Sequence, residues 1–468
     1  MDESKINKFV MKIAKDLMYA RPSIPLSVAV GVANYKMANI CSHLNITINT
    51  RSGYSDTPAN IYQLCLLPSG AGKGASLTLA DNFYFGEAFD YITKEVYPKF
   101  KERAELKLEQ QGVERVLHNL VKSNSDITYS GLFAYAESYS LSKFGGINIE
   151  IDEIGDAVTS KAELFGILLQ PYDNGILDPV GKRTDPNAIS ISGLNINMYC
   201  FGNKVRLSEG DNVEVSFRKL LDEGYGRRMI FIDDVSTMRE RTAQEYRDEM
   251  LASDKIKANR KEDREFIKSL VKTENLGKVL KLSDDAMLDF ATIKCEGDNY
   301  VINNRGLHPA VVSDMTERVF KTSKLAGIYA FFEGYDEIQS RHMQEAFEVI
   351  KESSRVLFEL RKSKSLHHRL LDKLLEEDKA VTAQHCLTYP FIPSSWTKKI
   401  IEILDLSKQL ASEKGLVWSE TKNKGVIYFS VTEKNSKDKE IVSDELESIE
   451  EDDGLTDEEK QLLKLLYE

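Results

Sequence analysis

Ile61-Tyr62-Gln63-Leu64-Cys65-Leu66-Leu67-Pro68-Ser69-Gly70-Ala71-Gly72-Lys73-Gly74-Ala75-Ser76 decides how this chain folds. Residues 61–67 form a short apolar run, Pro68 and the glycines make a turn, and residues 76–85 continue with helical character. The order is strand, turn, helix. A turn that opens a helix presents several unpaired backbone N–H groups, and a lysine beside them adds positive charge; a polyphosphate needs both. Ser69, Gly70, Ala71, Gly72, Lys73, Gly74 and Ala75 are therefore candidate nucleotide ligands, with Lys73 serving the β and γ phosphates. Two positions depart from the usual phosphate-loop pattern: Leu67 stands in place of the first glycine, and Gly74 in place of the Ser or Thr whose hydroxyl reaches Mg²⁺. Ser76 or Thr78 is left to supply that hydroxyl, or water fills the position, since magnesium commonly retains several waters. Taken alone, the segment also suits an ordinary glycine turn.

About 75 residues further on, Ile147-Asn148-Ile149-Glu150-Ile151-Asp152-Glu153 reads as a strand that delivers two carboxylates at its end. Phosphoryl transfer asks for one acid to hold Mg²⁺ and another to orient the attacking water, roles that fall to Asp152 and Glu153. The alternative is a solvated strand end. Leu194 to Phe201 is a further strand that finishes at Gly202-Asn203, where Asn203 is either a polar sensor of the γ phosphate or a turn residue. Gly224-Tyr225-Gly226-Arg227-Arg228 precedes a strand at Met229 to Ile232. Arg227 there is a candidate for stabilising transition-state charge on a neighbouring subunit's nucleotide, against the reading of a surface arginine pair. Strands separated by helical stretches imply an α/β fold with a mainly parallel sheet and helices on its faces.

Outward from this core, residues 5–45 read as helical, 87–122 as a long charged helix, 240–278 as an exposed helical insertion and 283–360 as a helical lid. From about residue 365 the texture changes. Helices at 367–377, 393–404 and 407–413 precede a hairpin of 416–419 with 425–431, an order that resembles a winged helix. Lys398, Lys399, Lys422 and Lys424 are its candidate DNA-phosphate contacts, or a solvated face, and Trp396 and Trp418 are stacking candidates, or core. The expected divisions are 1–55, 56–240, 241–362, 363–433 and an acidic tail at 434–468.

At 468 residues and 42% hydrophobic content the chain is long enough for a large core and a smaller second one. The net charge of -12 is concentrated: residues 444–468 hold eleven acids against Lys460 and Lys464, leaving the remainder near -3. A nearly neutral body is compatible with a nucleic-acid partner, and Arg355, Arg361, Lys362, Lys364, His367, His368 and Arg369 form a basic cluster in it. The tail, ending in Leu462, Leu463, Leu465 and Leu466, is a candidate docking peptide for a replication partner or a mimic of DNA. Five cysteines without a CxxC pair suggest buried thiols rather than zinc or disulfides. With no long apolar window and no secretory pattern, a cytoplasmic protein without a membrane partner is expected.

The order Thr128-Tyr129-Ser130-Gly131-Leu132, Ile149-Glu150-Ile151-Asp152-Glu153, Leu168-Leu169-Gln170-Pro171-Tyr172-Asp173, Leu194 to Asn203 and Gly226-Arg227 resembles one group. It is similar to the phage- and plasmid-encoded P-loop ATPases often joined to primases, a family related to RecA-like and AAA+ replicative helicases. The resemblance spans roughly residues 60–360 and is carried by the order and spacing of motifs. Members typically carry Ser or Thr after the loop lysine, so Gly74 is the departure. The resemblance implies a ring-forming, hexameric ATPase that uses ATP and Mg²⁺ to move along single-stranded DNA, with Arg227 acting between subunits. The alternatives are an ATPase that loads or regulates a replication or recombination protein without unwinding, and a nucleotide-binding structural protein without turnover.

Overall fold

In the computed structural model four strands form a fully parallel sheet: β1 (Tyr62–Leu66), β2 (Ile147–Ile151), β3 (Ile196–Gly202) and β4 (Met229–Asp233). Their spatial order is β2-β3-β1-β4. The structure describes residues 2–50, 56–68, 73–110, 117–121, 127–178, 190–204, 206–208, 212–233, 242–304, 307–362, 366–377, 379–389, 392, 399–423 and 426–432. Every residue of β1 and β3 is buried. Helices cover both faces of these strands, so even their polar members Gln63 and Asn197 are buried.

Seven helices build the surroundings of this sheet: α1 (Lys8–Ala20), α2 (Leu26–His43), α3 (Lys73–Ala80), α4 (Ile154–Ser160), α5 (Ala162–Asn174), α6 (Asn212–Leu220) and α7 (Pro309–Phe332). Side chains alternate across β1, so Gln63 meets α2 on one face while the Tyr62 hydroxyl donates to the Leu168 carbonyl of α5 on the other, at 2.7 Å. Helix α3 packs on α2, and α4 packs on α5 and α6. The connection leaving β1 thus runs over one face, and those leaving β2 and β3 over the opposite face, as right-handed crossovers require for this strand order. At Gly31 the α2 backbone lies so close to the sheet that an added Cβ would fall 2.1 Å from Ile232 Cδ1 and 2.4 Å from Gln63 Nε2. A larger residue there would have to displace the ends of the Ile232 and Gln63 side chains.

Under α2 the sheet carries a polar seam rather than an apolar one. Asn148 Oδ1 accepts from Ser42 Oγ (3.2 Å) and from Asn197 Nδ2 (3.0 Å), and the same Asn197 amide donates to the Ala38 carbonyl (3.2 Å). Asn197 Oδ1 accepts from the Ile61 N–H at 2.9 Å, so one side chain ties β3 to the start of β1 and to α2. His43 completes the seam, its Nδ1 accepting from the Gly146 N–H at 3.1 Å. Burial pushes the His43 imidazole down to about 4. An unfolded histidine titrates near 6.5, so the unfolded chain binds the extra proton between those values. Stability from this group is complete above pH 6.5 and is lost as pH falls toward 4, by roughly 3 kcal/mol at most. Urea unfolding at pH 7 and pH 4.5 should therefore show a loss in the wild type that is smaller in His43→Asn, and equal losses would remove His43 as the cause.

A second sheet lies outside sequence expectation. Thr47–Asn49 pairs in parallel with Val279–Leu282, flanked by Thr57–Pro58 and Glu337–Ile338. The segments expected as a lid and an insertion also join the main core. Every residue from Lys321 to Phe332 of α7 is buried, so this stretch runs through the core rather than beside it. Ala243–Asn259 is exposed along most of its length, but Ile256, Ile267 and Leu270 pack into the same core, and Arg260 bonds Asp16 of α1 at 2.6 Å. The described residues up to 362 form one compact unit and those between 366 and 432 a second.

In the second unit, Val417–Asn423 and Val426–Thr432 form an antiparallel hairpin whose second strand also pairs with Val381–Thr382. Helices Leu366–Glu376, Ala383–Cys386 and Lys399–Glu413 cover it, around Leu370, Leu371, Ile403 and Phe429. Where the sequence suggested two helices at 393–404 and 407–413, Lys399–Glu413 is one. Ser407, where the second of these helices was expected to begin, donates back to the Ile403 carbonyl at 2.8 Å and to the His367 carbonyl at 2.9 Å, so its hydroxyl is satisfied within a continuous helix. Among the described residues no helix is long and apolar enough to cross a membrane. The acidic tail lies outside the described residues. Cys41, Cys65, Cys200 and Cys386 are buried as expected, whereas Cys295 is exposed.

Candidate functional site

Continuing the strand registers sets Glu153, Gly202, Leu66 and Asp233 level with one another along the carboxyl edge of the sheet. Neighbouring strands are about 4.8 Å apart, so the acid pair after β2 stands about 10 Å from the end of β1, with the end of β3 between them. Connections that leave β1 and β3 over opposite faces diverge at that edge, which is where an open parallel sheet is expected to form a crevice. This is the switch point at which open parallel sheets take their ligands.

Three sequence-marked segments converge there. Leu67 is buried and its N–H donates to the Gly202 carbonyl at 2.9 Å, so the ladder runs one residue past β1. That pairing explains the missing first glycine: the position is still strand, and a leucine packs there. Ser69, Gly70, Ala71 and Gly72 fall outside the described residues. Lys73 begins α3, with its side chain also outside them, and Gly74 is exposed, with nothing within 4 Å of an added Cβ. Ala75 is half-buried. Ser76 is fully buried on the inner face of α3, and Thr78 donates back to the Gly74 carbonyl at 3.3 Å, so neither hydroxyl stands at the open end of the helix.

Asp152 follows β2 as an exposed carboxylate. Glu153 adopts extended backbone and caps α4, its Oε1 accepting from the Gly155 N–H at 3.3 Å. That bond directs the Glu153 side chain along the edge. Asn203 is half-buried just beyond β3, and its carbonyl accepts from the Leu207 N–H at 3.1 Å. Beneath Asp152, on the α2 and α3 face, Lys36 Nζ donates to Asp81 Oδ2 at 2.9 Å and lies 3.8 Å from Glu150 Oε1. Two carboxylates share one ammonium, and burial raises the Asp81 carboxyl above its ordinary range. The cluster braces the far end of α3 against the strand that carries Asp152.

One pair at the edge carries no sequence signal. Lys204, two residues past β3, forms an ion pair with Asp233 at the end of β4. Because β1 lies between β3 and β4, this pair crosses the end of the strand that feeds the glycine turn. Neither residue falls in a recognisable motif, and only the strand order brings them together.

Arg227 sits elsewhere. It precedes β4, at the amino edge of the sheet, 3.9 Å from Asp173 and partly exposed. It therefore does not reach the carboxyl-edge crevice of its own chain. Arg228 is buried, with Nε donating to Asp173 Oδ1 at 3.1 Å and Nη1 to the Gly224 carbonyl at 3.0 Å, a structural clamp. In the second unit Lys422 is exposed, Lys399 begins a helix with its side chain outside the described residues, and Lys398, Lys424 and Trp396 lie outside them. Trp418 is half-buried, packed on Phe429 at 6.0 Å, and its indole N–H donates to the exposed Glu420 at 3.0 Å. The expected basic cluster is partly neutralised: Arg355 bonds Glu352 and Glu359, and Arg361 pairs with Asp222.

No protein-family model matches this chain, and no curated protein is significantly similar to it. The chemistry of the edge has to follow from its own residues. Among the described residues no group of three or more His, Cys, Asp or Glu side chains could hold a metal ion. A single exposed carboxylate such as Asp152 suits a magnesium ion held mainly by waters and phosphate oxygens.

Proposed function

We propose that this chain binds ATP with Mg²⁺ at the carboxyl edge of its parallel sheet and hydrolyses it as part of a DNA-dependent motor. The observation that carries this reading is the strand order β2-β3-β1-β4, which gathers the start of α3, the Asp152-Glu153 pair and Asn203 around one crevice. The N–H groups and Lys73 at the start of α3 hold the phosphates. Asp152 holds magnesium, which when bound neutralises charge on the β and γ phosphates. Glu153 orients the water and Asn203 contacts the γ phosphate. Arg227, at the opposite edge, acts on the nucleotide of a neighbouring copy in a ring.

The second unit supports a winged-helix-like reading through its element order and its sheet of Val417–Asn423, Val426–Thr432 and Val381–Thr382. One observation favours the loader or regulator reading instead. Helix Lys399–Glu413 exposes Glu402, Asp405 and Glu413 beside Lys408, a face better suited to a protein than to DNA phosphates. Steady-state ATP hydrolysis with Mg²⁺, with and without single-stranded DNA, separates the two. Stimulation by DNA supports the motor, turnover indifferent to DNA supports the loader, and absence of turnover removes both.

Gly74 offers a sharper test, because its open surroundings let a side chain be added without displacement. Gly74→Thr supplies the missing hydroxyl. It should lower the Mg²⁺ concentration at half-maximal turnover by roughly three- to ten-fold, the effect of about 1 kcal/mol of added ligation. An unchanged magnesium requirement would mean that this position does not face the ion.

A further inference from the structure

The ion pair between Lys204 and Asp233 lies at the same carboxyl edge as the start of α3, Asp152 and Asn203. We infer that Lys204 is a phosphate-binding residue of the ATP site, and that Asp233 holds its ammonium over the end of β1 until the nucleotide arrives. This rests on the ATP-binding reading and adds to it a residue that no motif marks.

Three observations carry it. Gly202 and Asp233 are both paired with Leu66, so they flank the end of β1 at the same level, about 10 Å apart across two strand spacings. Lys204 spans that gap to Asp233, so its side chain crosses the end of β1. The Lys204 side chain is 44% exposed while that of Asp233 is 18% exposed, so the lysine is open to solvent and to a ligand, and its partner is set into the edge. An ammonium exchanges one oxyanion for another at little geometric cost, because it is a flexible point charge with three donors. A triphosphate carries more charge than one carboxylate and can draw the ammonium away. Asp233 in turn keeps the cation placed and prevents it from folding back on other acids of the edge while the crevice is empty.

The test is a fluorescence titration of the full chain with mant-ATP and mant-ADP in Mg²⁺, using wild type, Lys204→Ala, Lys204→Arg, Asp233→Asn, the Lys204→Ala/Asp233→Asn double variant and Lys73→Ala. Lys204→Ala should weaken mant-ATP binding roughly tenfold and mant-ADP binding less, as for one partly exposed charge-assisted bond to the terminal phosphate, and Lys204→Arg should retain most of the affinity. Asp233→Asn should tighten mant-ATP binding, and should change nothing in the Lys204→Ala background. Two outcomes overturn the inference while leaving the ATP site intact. In one, Lys73→Ala loses binding and Lys204→Ala binds as wild type; in the other, Asp233→Asn weakens binding as much as Lys204→Ala does, which makes the pair a brace of the edge. A wild type that binds neither nucleotide removes the ATP-binding reading and this inference together.

Discussion

Glu153→Gln is expected to bind ATP within about two-fold of the wild type and to hydrolyse it roughly 10²- to 10⁴-fold more slowly, the usual loss when a positioned general base is removed. Glutamine keeps the length of the side chain and can still cap α4 through its amide oxygen, so the Gly155 N–H remains satisfied and the edge keeps its shape. What it loses is the charge that draws a proton from the attacking water. Lys73→Ala should do the reverse, weakening binding itself, because it removes positive charge from the start of α3. The measurements are mant-ATP titration and steady-state phosphate release on both variants. Equal loss of binding in the two would show that Glu153 belongs to the phosphate cradle or to the fold. Normal turnover in Glu153→Gln would move water activation to another group.

The largest effect on stability should come from Asp314 and Lys321. Both lie on α7, with side chains 2% and 1% exposed, and the Lys321 ammonium donates to Asp314 and, at 2.9 Å, to the Met229 carbonyl where β4 begins. Removing one member of a buried pair leaves the other charge without compensation in a medium that solvates it poorly. Lys321→Met is therefore expected to cost about 3–5 kcal/mol in urea unfolding. Removing both is different. Asp314→Leu with Lys321→Met takes away the desolvation cost along with the attraction, so the double variant should recover most of the loss. If the double variant is as unstable as the single one, the bond to the Met229 carbonyl, rather than the ion pair, holds α7 to the sheet.

These two regions differ in how far the sequence announced them. The apolar run before the glycine turn, the acids after Ile151 and the strand ending at Gly202-Asn203 are local patterns, and local pattern was enough to mark them as strand ends carrying polar groups. The hairpin was legible for the same reason, since alternation is a property of neighbours in the chain, but its turn was misplaced: Lys422 and Asn423, expected in it, pair with Ile427 and Val426 as strand residues. The continuity of Lys399–Glu413 was not legible, since the Ser407 hydroxyl is satisfied by the His367 carbonyl, 40 residues away in sequence, as well as by its own helix.

The sequence by itself therefore determined an α/β protein with a polar-ended strand series and a separate C-terminal unit. It did so because the period of side-chain burial and the chemistry of turns are set within a few residues. Only the tertiary structure decided that β3 lies between β2 and β1, that Thr47–Asn49 pairs with Val279–Leu282, and that α7 runs through the core. The same is true of the Lys204–Asp233 pair, whose members meet only because β1 separates the strands that end beside them. Strand order is chosen by which apolar faces can be covered together and by the handedness of the crossovers, quantities that belong to the whole packed chain and leave no mark at any one position.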